Sequence, residues 1–350
     1  MVSIRILDVS GTPHEMGIQH GQQVREAVRN LTHLRLQHCQ DTSWTETILP
    51  IDQITRLAET CLPAHATYAP GLFDELRGIS EATGVNLAEL LIVNGFTDLI
   101  DVINNANCTS FAVVNHQTTT GKALIGQTWD MHQDALPYVV LLRGYPQDAP
   151  AFLTFTLTGC VGMIGLNEAG IAVCINDLSG AFGQSGVTWP FVVREILRQT
   201  TLDGALRCIT QAKLAGAHNY LVMDAQGTGF NVEAMVGLHK VTSLSDYLAH
   251  TNLCLDPDAQ RFERALSPEG VQDSEARYRR ACTYLEQTPV SIETLMTLTR
   301  DRSDGINSVC SIRPDWQSQT VGAVIMRPAE REFWCVWGLP TEHNYEQITL

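Results

Sequence analysis

The chain has 350 residues, 44% of them hydrophobic and 17% charged, with a formal net charge of −15. That balance suits a globular protein with a sizeable core, and the acidity excludes the basic face that general nucleic-acid binding needs. No apolar run reaches the roughly 20 residues that span a bilayer, and the N-terminus carries no apolar stretch of signal-peptide length, so a cytoplasmic protein is expected.

The first hundred residues read as mainly helical. Thr12-Pro13-His14-Glu15 has the makings of a capping box, with proline at the first helical position. Gly17 and Gly21 follow four apart on one face, where a neighbouring element could come close. Further helical patterns run over about 51–62, 72–83 and 86–98, the last opening at Asn86 as cap. Asp101 to Asn107 is polar and poorly periodic and reads as a loop.

After Cys108 the texture changes to strands. Ser110 to Val114 and Lys122 to Gly126 flank a polar turn as a β-hairpin. Ala151 to Thr158 is β-branched and aromatic. Two strands then meet at the turn Asn167-Glu-Ala-Gly170. Helices are expected near 189–199 and 202–214, strands at 219–224, 229–235 and 238–250, and helices again near 273–286 and 291–300. A hairpin of Val321–Arg327 and Glu332–Gly338 closes the chain. Helical blocks alternating with short antiparallel strands predict an α+β fold of four layers, αββα, with helices outside two stacked antiparallel sheets. One domain over 1–350 is expected, with 1–107 packed against 108–350.

Ten cysteines lie irregularly between Cys39 and Cys335, with no C-x-x-C pair and no histidine at zinc spacing. Most are expected to be reduced and buried, and no metal or cofactor is implied. His14 and His20 have the wrong spacing for a zinc-peptidase helix. Arg277, Arg279 and Arg280 could meet phosphates, but beside Asp273 and Glu275 they read as a solvated helix face.

Cys108 stands apart through the hairpin. The turn centres near Thr119, eleven residues from Cys108 and eleven from Asp130, so the two are expected opposite each other at its open end, with Trp129 beside them. A thiol beside a carboxylate at a strand end is a candidate site.

Asn107-Cys108-Thr-Ser-Phe111 and Gly126-Gln-Thr-Trp-Asp130 resemble the nucleophile region of the acyl-coenzyme A:isopenicillin N acyltransferase family, which belongs to the N-terminal nucleophile hydrolases and is similar to choloylglycine hydrolases and acid ceramidase. The resemblance continues, in order, from Gly11-Thr-Pro-His-Glu-Met-Gly17 through Gly165 to Asn176, Asn219 to Gly227 and His250-Thr-Asn252. It implies that the Asn107–Cys108 bond is cut by the protein itself, leaving a small chain 1–107 and a large chain 108–350 that stay associated. Cys108 would then be nucleophile, with its freed α-amine as base, since an amine of pKa about 7.7–8.0 accepts a proton that an amide cannot. By the same resemblance Asp130 holds that amine, Asn252 donates to the oxyanion, and Asn176 is a second polar position near the nucleophile.

The sequence departs from the family in three places. Asn107 stands where the penicillin enzyme has glycine, Leu253 follows Asn252 where a second histidine is usual, and Ser308-Val-Cys310-Ser311-Ile-Arg313 either lacks the family's arginine or displaces it to Arg313. The resemblance implies an amidohydrolase acting on a small N-acyl compound. Transfer of an acyl group from acyl-CoA to an amine is the second reading, and a silent, unprocessed binding protein the third. Self-association is left open.

Overall fold

The computed structural model describes residues 3–43, 45, 47–100 and 107–350. The loop reading of 101–107 therefore falls, Asn107 apart, outside the described residues. The chain opens with a strand, β1 (Ile6–Gly11), ahead of helices α1 (Pro13–Gln23), α2 (Arg25–His38), α3 (Ile51–Tyr68) and α4 (Pro70–Thr83). The capping box at Thr12 and Glu15 is formed, and Gly17 and Gly21 do let α1 press on α4: a Cβ on Gly17 would lie 1.9 Å from the Glu75 carbonyl oxygen.

The expected helix 86–98 is two pieces, α5 (Leu87–Val93) and α6 (Phe96–Leu99). Asn94 diverts its side chain to the Leu90 and Gly159 carbonyls, and Gly95 meets Thr188 where a Cβ would be 2.3 Å away. A strand-rich stretch follows: β2 (Cys108–Val113), β3 (Leu124–His132), β4 (Val139–Pro146), β5 (Phe152–Leu157), β6 (Ile164–Asn167) and β7 (Ala172–Leu178). Next come α7 (Trp189–Ile196), α8 (Leu202–Thr210), β8 (Ala217–Met223), β9 (Gly229–Met235), β10 (Leu238–Ser243) and β11 (Tyr247–His250). The chain ends with α9 (Pro268–Leu285), α10 (Ile292–Thr299), β12 (Ile312–Arg313), β13 (Ser318–Arg327), β14 (Glu332–Trp337) and β15 (Glu346–Thr349).

The strands form two sheets, ordered β1-β4-β5-β6-β7-β8-β9-β10 and β11-β2-β3-β13-β14-β15, with β12 on β13. One apolar cluster, including Leu141, Phe155, Leu221 and Val324, fills the space between them. A second cluster joins the first sheet to α1–α8, and a third joins Phe111 and Ile325 of the second sheet to Ala281, Leu285 and Leu295 of α9 and α10. The four-layer αββα fold is thus the one expected. The first sheet is not wholly antiparallel, because β1 runs parallel to β4 over six register pairs.

The expected strand 238–250 is two strands in different sheets. β10 finishes the edge of the first, and the chain crosses so that β11 pairs with β2 in the second. That crossing delivers His250 and the following Asn252 to the start of β2.

Candidate active site

The hairpin register differs by one residue from the symmetric expectation. Cys108 lies opposite Trp129, and Asp130 is opposite Asn107, whose carbonyl oxygen accepts its backbone N–H at 2.8 Å. The helical turn Asn115–Gln117 between the strands moves the centre of symmetry. A one-residue slip exchanges faces. Cys108 and Trp129 therefore join the core between the sheets, while Asp130, one residue on, turns to the α9 side.

There Asp130 is 1% exposed and its oxygens accept the hydroxyls of Thr320 at 2.6 Å and Ser311 at 3.1 Å. A β-bulge between Thr320 and Gly322 aims the Thr320 hydroxyl at it. Burial pushes the Asp130 carboxyl up to about 7, against the pull of Arg277 and the two hydroxyls.

In the continuous chain the Cys108 N–H donates to Asn252 Oδ1 at 3.0 Å. Arg277 Nη2 donates to the same oxygen at 3.0 Å, and the Asn252 amide nitrogen donates to the Asp177 carbonyl at 3.0 Å. Two donors on one side fix the orientation of the Asn252 amide, oxygen toward Cys108. The Asn252 backbone is pinned as well, its N–H donating to Ser274 Oγ at 3.1 Å. The His250–Glu233 contact at 2.8 Å anchors the approach, and Glu233 also accepts the Leu255 and Asp256 N–H groups.

Arg277 is not on a solvated face. It is 0% exposed, donates to the Cys108 carbonyl and to Thr109 Oγ1, and pairs with Asp273 at 2.8 Å. Only Arg279 and Arg280 face outward, to Glu275 at 3.1 Å and Asp304 at 3.0 Å. Arg313 does not reach Cys108 through any contact of its own. It is buried against Asp273 at 2.6 Å, which makes Asp273 the link between two guanidiniums. Ser311, which stands at the family's arginine position, donates to Asp130 instead. Asn176 bridges the sheets, accepting from Ser110 at 2.6 Å and Asn219 at 3.2 Å.

The signal for Arg277 was present as an i, i+4 pair with Asp273, yet such pairs mark exposed helix faces as often as buried ones. Ser274, Thr320 and Glu233 gave no signal at all, since hydroxyls and acids at those spacings are ordinary.

Cys108, Trp129, Met131, Met163 and Ile175 line a cavity of about 30 Å³, together with Asp177, Trp189 and His218. That holds one or two waters. Burial pushes the Cys108 thiol up to about 12, with Asp130 adding to the rise and Arg277 opposing it. Elsewhere, His38, His132 and Asp134 come together, but the Arg35 guanidinium donates to His132 Nδ1 at 3.0 Å and occupies the lone pair a metal would need. No helix among the described residues is long and apolar enough to cross a membrane.

Residues 117–342 match a family model described as acyl-coenzyme A:6-aminopenicillanic acid acyl-transferase. The chain is 24% identical over 321 residues to the 40 kDa form of acyl-coenzyme A:6-aminopenicillanic-acid-acyltransferase from Emericella nidulans, covering 88% of this chain and 85% of that one. It is 23% identical over 243 residues to acid ceramidase of Mus musculus, covering 62% of this chain and 58% of that one. Among solved structures, penicillin V acylase from Agrobacterium tumefaciens superposes with a TM-score of 0.45 at 14% identity, over 69% of this chain and 86% of that one.

Proposed function

The chain belongs to the acyl-coenzyme A:6-aminopenicillanic acid acyl-transferase family, and from that premise we propose that it is a self-processing cysteine amidohydrolase whose nucleophile is Cys108. The observation that carries the reading is the grip on the Asn107–Cys108 peptide. Its carbonyl oxygen accepts the Asp130 N–H at 2.8 Å, and its N–H is taken by Asn252 Oδ1 at 3.0 Å. A peptide held at both ends is oriented for attack, and the Asp130 N–H lies where negative charge would develop.

In the proposed first reaction the Cys108 thiol attacks the Asn107 carbonyl carbon. The C–N bond breaks, the acyl group moves to sulfur, and the nitrogen takes a proton to become an amine. Water then hydrolyses the thioester, leaving the Asn107 carboxylate, the thiol and the free α-amine.

In turnover that amine takes the thiol proton as sulfur attacks a substrate amide, then passes it to the departing amine. In the uncut chain one N–H of the Asn252 amide is spent on the Asp177 carbonyl, so the remaining N–H is the one that donates to the oxyanion, a contact worth roughly 3–4 kcal/mol in acyl-transfer sites. Arg277 holds Asn252 and the Cys108 carbonyl in register. Water then releases the acyl group as acid. Hydrolysis is favoured over transfer from acyl-CoA because Arg279 and Arg280, the outward-facing arginines of α9, are already committed to carboxylates.

The test is intact mass under denaturing conditions for wild type and Cys108→Ala. Fragments meeting at 107/108 in wild type alone, followed by thiol-dependent amide cleavage, are expected. A wild-type chain that stays whole and turns nothing over would instead make this the silent relative, and rapid CoA release with an amine acceptor would make it a transferase.

A further inference from the structure

One wall of the Cys108 cavity carries charge that the proposed chemistry does not use. His218 of β8 lies between two carboxylates, its Nδ1 3.4 Å from Asp98 Oδ1 and its Nε2 3.2 Å from Asp177 Oδ1. The Trp189 ring packs on the imidazole with centroids 5.5 Å apart, and the Trp189 backbone N–H donates to Asp98 Oδ2 at 2.9 Å. Asp98 is sunk at this position because Gly216 leaves it room: a Cβ there would stand 2.4 Å from Asp98 Oδ1.

Burial alone would lower the His218 imidazole, but Asp98 and Asp177 outweigh it and raise it above its ordinary value. Two carboxylates and one imidazolium leave a net negative charge on this wall. Asp98 and His218 side chains are 1% and 4% exposed, while Asp177 keeps 24%. Among the described residues Asp177 Oδ2 has no hydrogen-bond partner, and neither does the buried Trp189 Nε1. Asp177, His218 and Trp189 line the cavity with Cys108, and Thr97 lines both that cavity and a cleft of about 330 Å³ that Asp98 also borders. The row thus stands between the nucleophile and the open cleft.

A buried ionic row costs stability that apolar packing would not. Its placement against the nucleophile's cavity, with one carboxylate oxygen unspent, suits recognition. We propose that Asp177, backed by His218 and Asp98, is a subsite for an ammonium group carried by the substrate beside its scissile amide, while Trp129 and Met163 line the apolar side. This rests on Cys108 being the nucleophile. Opposite charge attracts such a substrate and the same field repels an acyl group ending in a carboxylate.

The test uses β-alanyl, butyryl and succinyl p-nitroanilides, acyl groups of similar length ending in ammonium, methyl and carboxylate. Their kcat/KM values are expected to fall in that order, with about tenfold between the first two, and Asp177→Asn should bring the three together. Exposed Glu269→Gln, on α9, should leave the order intact and so separates the subsite from the protein's overall charge. A second readout needs no turnover and, in wild type, no variant. The rates at which aminoethyl and sulfonatoethyl methanethiosulfonates modify Cys108, followed by the mass of its peptide, are compared with those for free cysteine. The cationic reagent is expected to gain about tenfold at Cys108 relative to free cysteine, by the same attraction. Amides cleaved without regard to charge would overturn the subsite and leave the amidohydrolase standing. A cationic preference at the thiol with no amide cleaved would support the subsite and overturn the amidohydrolase.

Discussion

Arg277 reaches the carbonyl oxygen of Cys108 from helix α9, on the opposite face of the sheet from the thiol. Its other nitrogen holds Asn252, so one guanidinium fixes both ends of the proposed machinery. Arg277→Ala would strand Asp273 with Arg313 alone and break a fully buried pair. A loss of about 3–5 kcal/mol in stability is expected, read as a lowered Tm, with no self-cleavage. Arg277→Lys keeps the charge but not the fork, and should fold while processing about ten- to a hundredfold more slowly. Processing by the lysine variant at the wild-type rate would mean that only charge matters there.

Asp130 gives a signed pH dependence. Its folded carboxyl titrates at about 7, whereas in the unfolded chain it titrates near 3.9. Between those values the folded protein keeps a proton that the unfolded chain has released. This carboxyl's contribution is therefore fully present below about pH 4, falls as pH rises, and levels off above about 7. In a Cys108→Ala background, Asp130→Asn should gain stability over its parent by a few kcal/mol between pH 4 and 7 and hold that gain above. A gain that does not vary with pH would show that the carboxyl is not held up.

Asn252→Ala removes an amide that nothing nearby replaces. Self-cleavage and turnover should each slow by about a hundred- to a thousandfold, measured by fragment mass over time and by initial rates once cut protein has accumulated. An unchanged kcat with a raised KM would assign Asn252 to binding rather than to the oxyanion.

The two chains of the proposed mature protein should not part. β1 is paired with β4 along its whole length, and α1 to α5 share a core with the first sheet. Cut protein is expected to elute as one species of undiminished size in native gel filtration and to separate only in denaturant. A separate, later-eluting peak of free 1–107 would contradict this.

Much of the architecture was legible because hydrophobic period and turn chemistry are local. The Thr12 cap, the glycines of α1 and the hairpin after Cys108 were all read from neighbours in sequence. β1 was not, since a single strand finding a parallel partner at β4 leaves no turn to announce it. The break at Ser243–Tyr247 was also hidden, because the pattern of a strand does not say which sheet it joins. At the site, Cys108 and Asp130 are brought together by the symmetry of the hairpin and given roles by family resemblance, while Asn252 is reached through the resemblance alone. The hydroxyls that clasp Asp130 and the burial of Arg277 depend on how α9 and β13 pack, which no short window contains. The hairpin's one-residue offset shows the same limit from another side: counting residues finds the partner strand, and the form of the turn decides the face.

The parallel pairing of β1 has a kinetic consequence for a protein cut after Asn107. Before the cut, the strand is tethered and regains β4 by a first-order search. Afterwards the same ladder must be rebuilt by collision of two separate polypeptides, so recovery from denaturation becomes second-order and slows on dilution, while the uncut Cys108→Ala chain refolds at a rate independent of concentration.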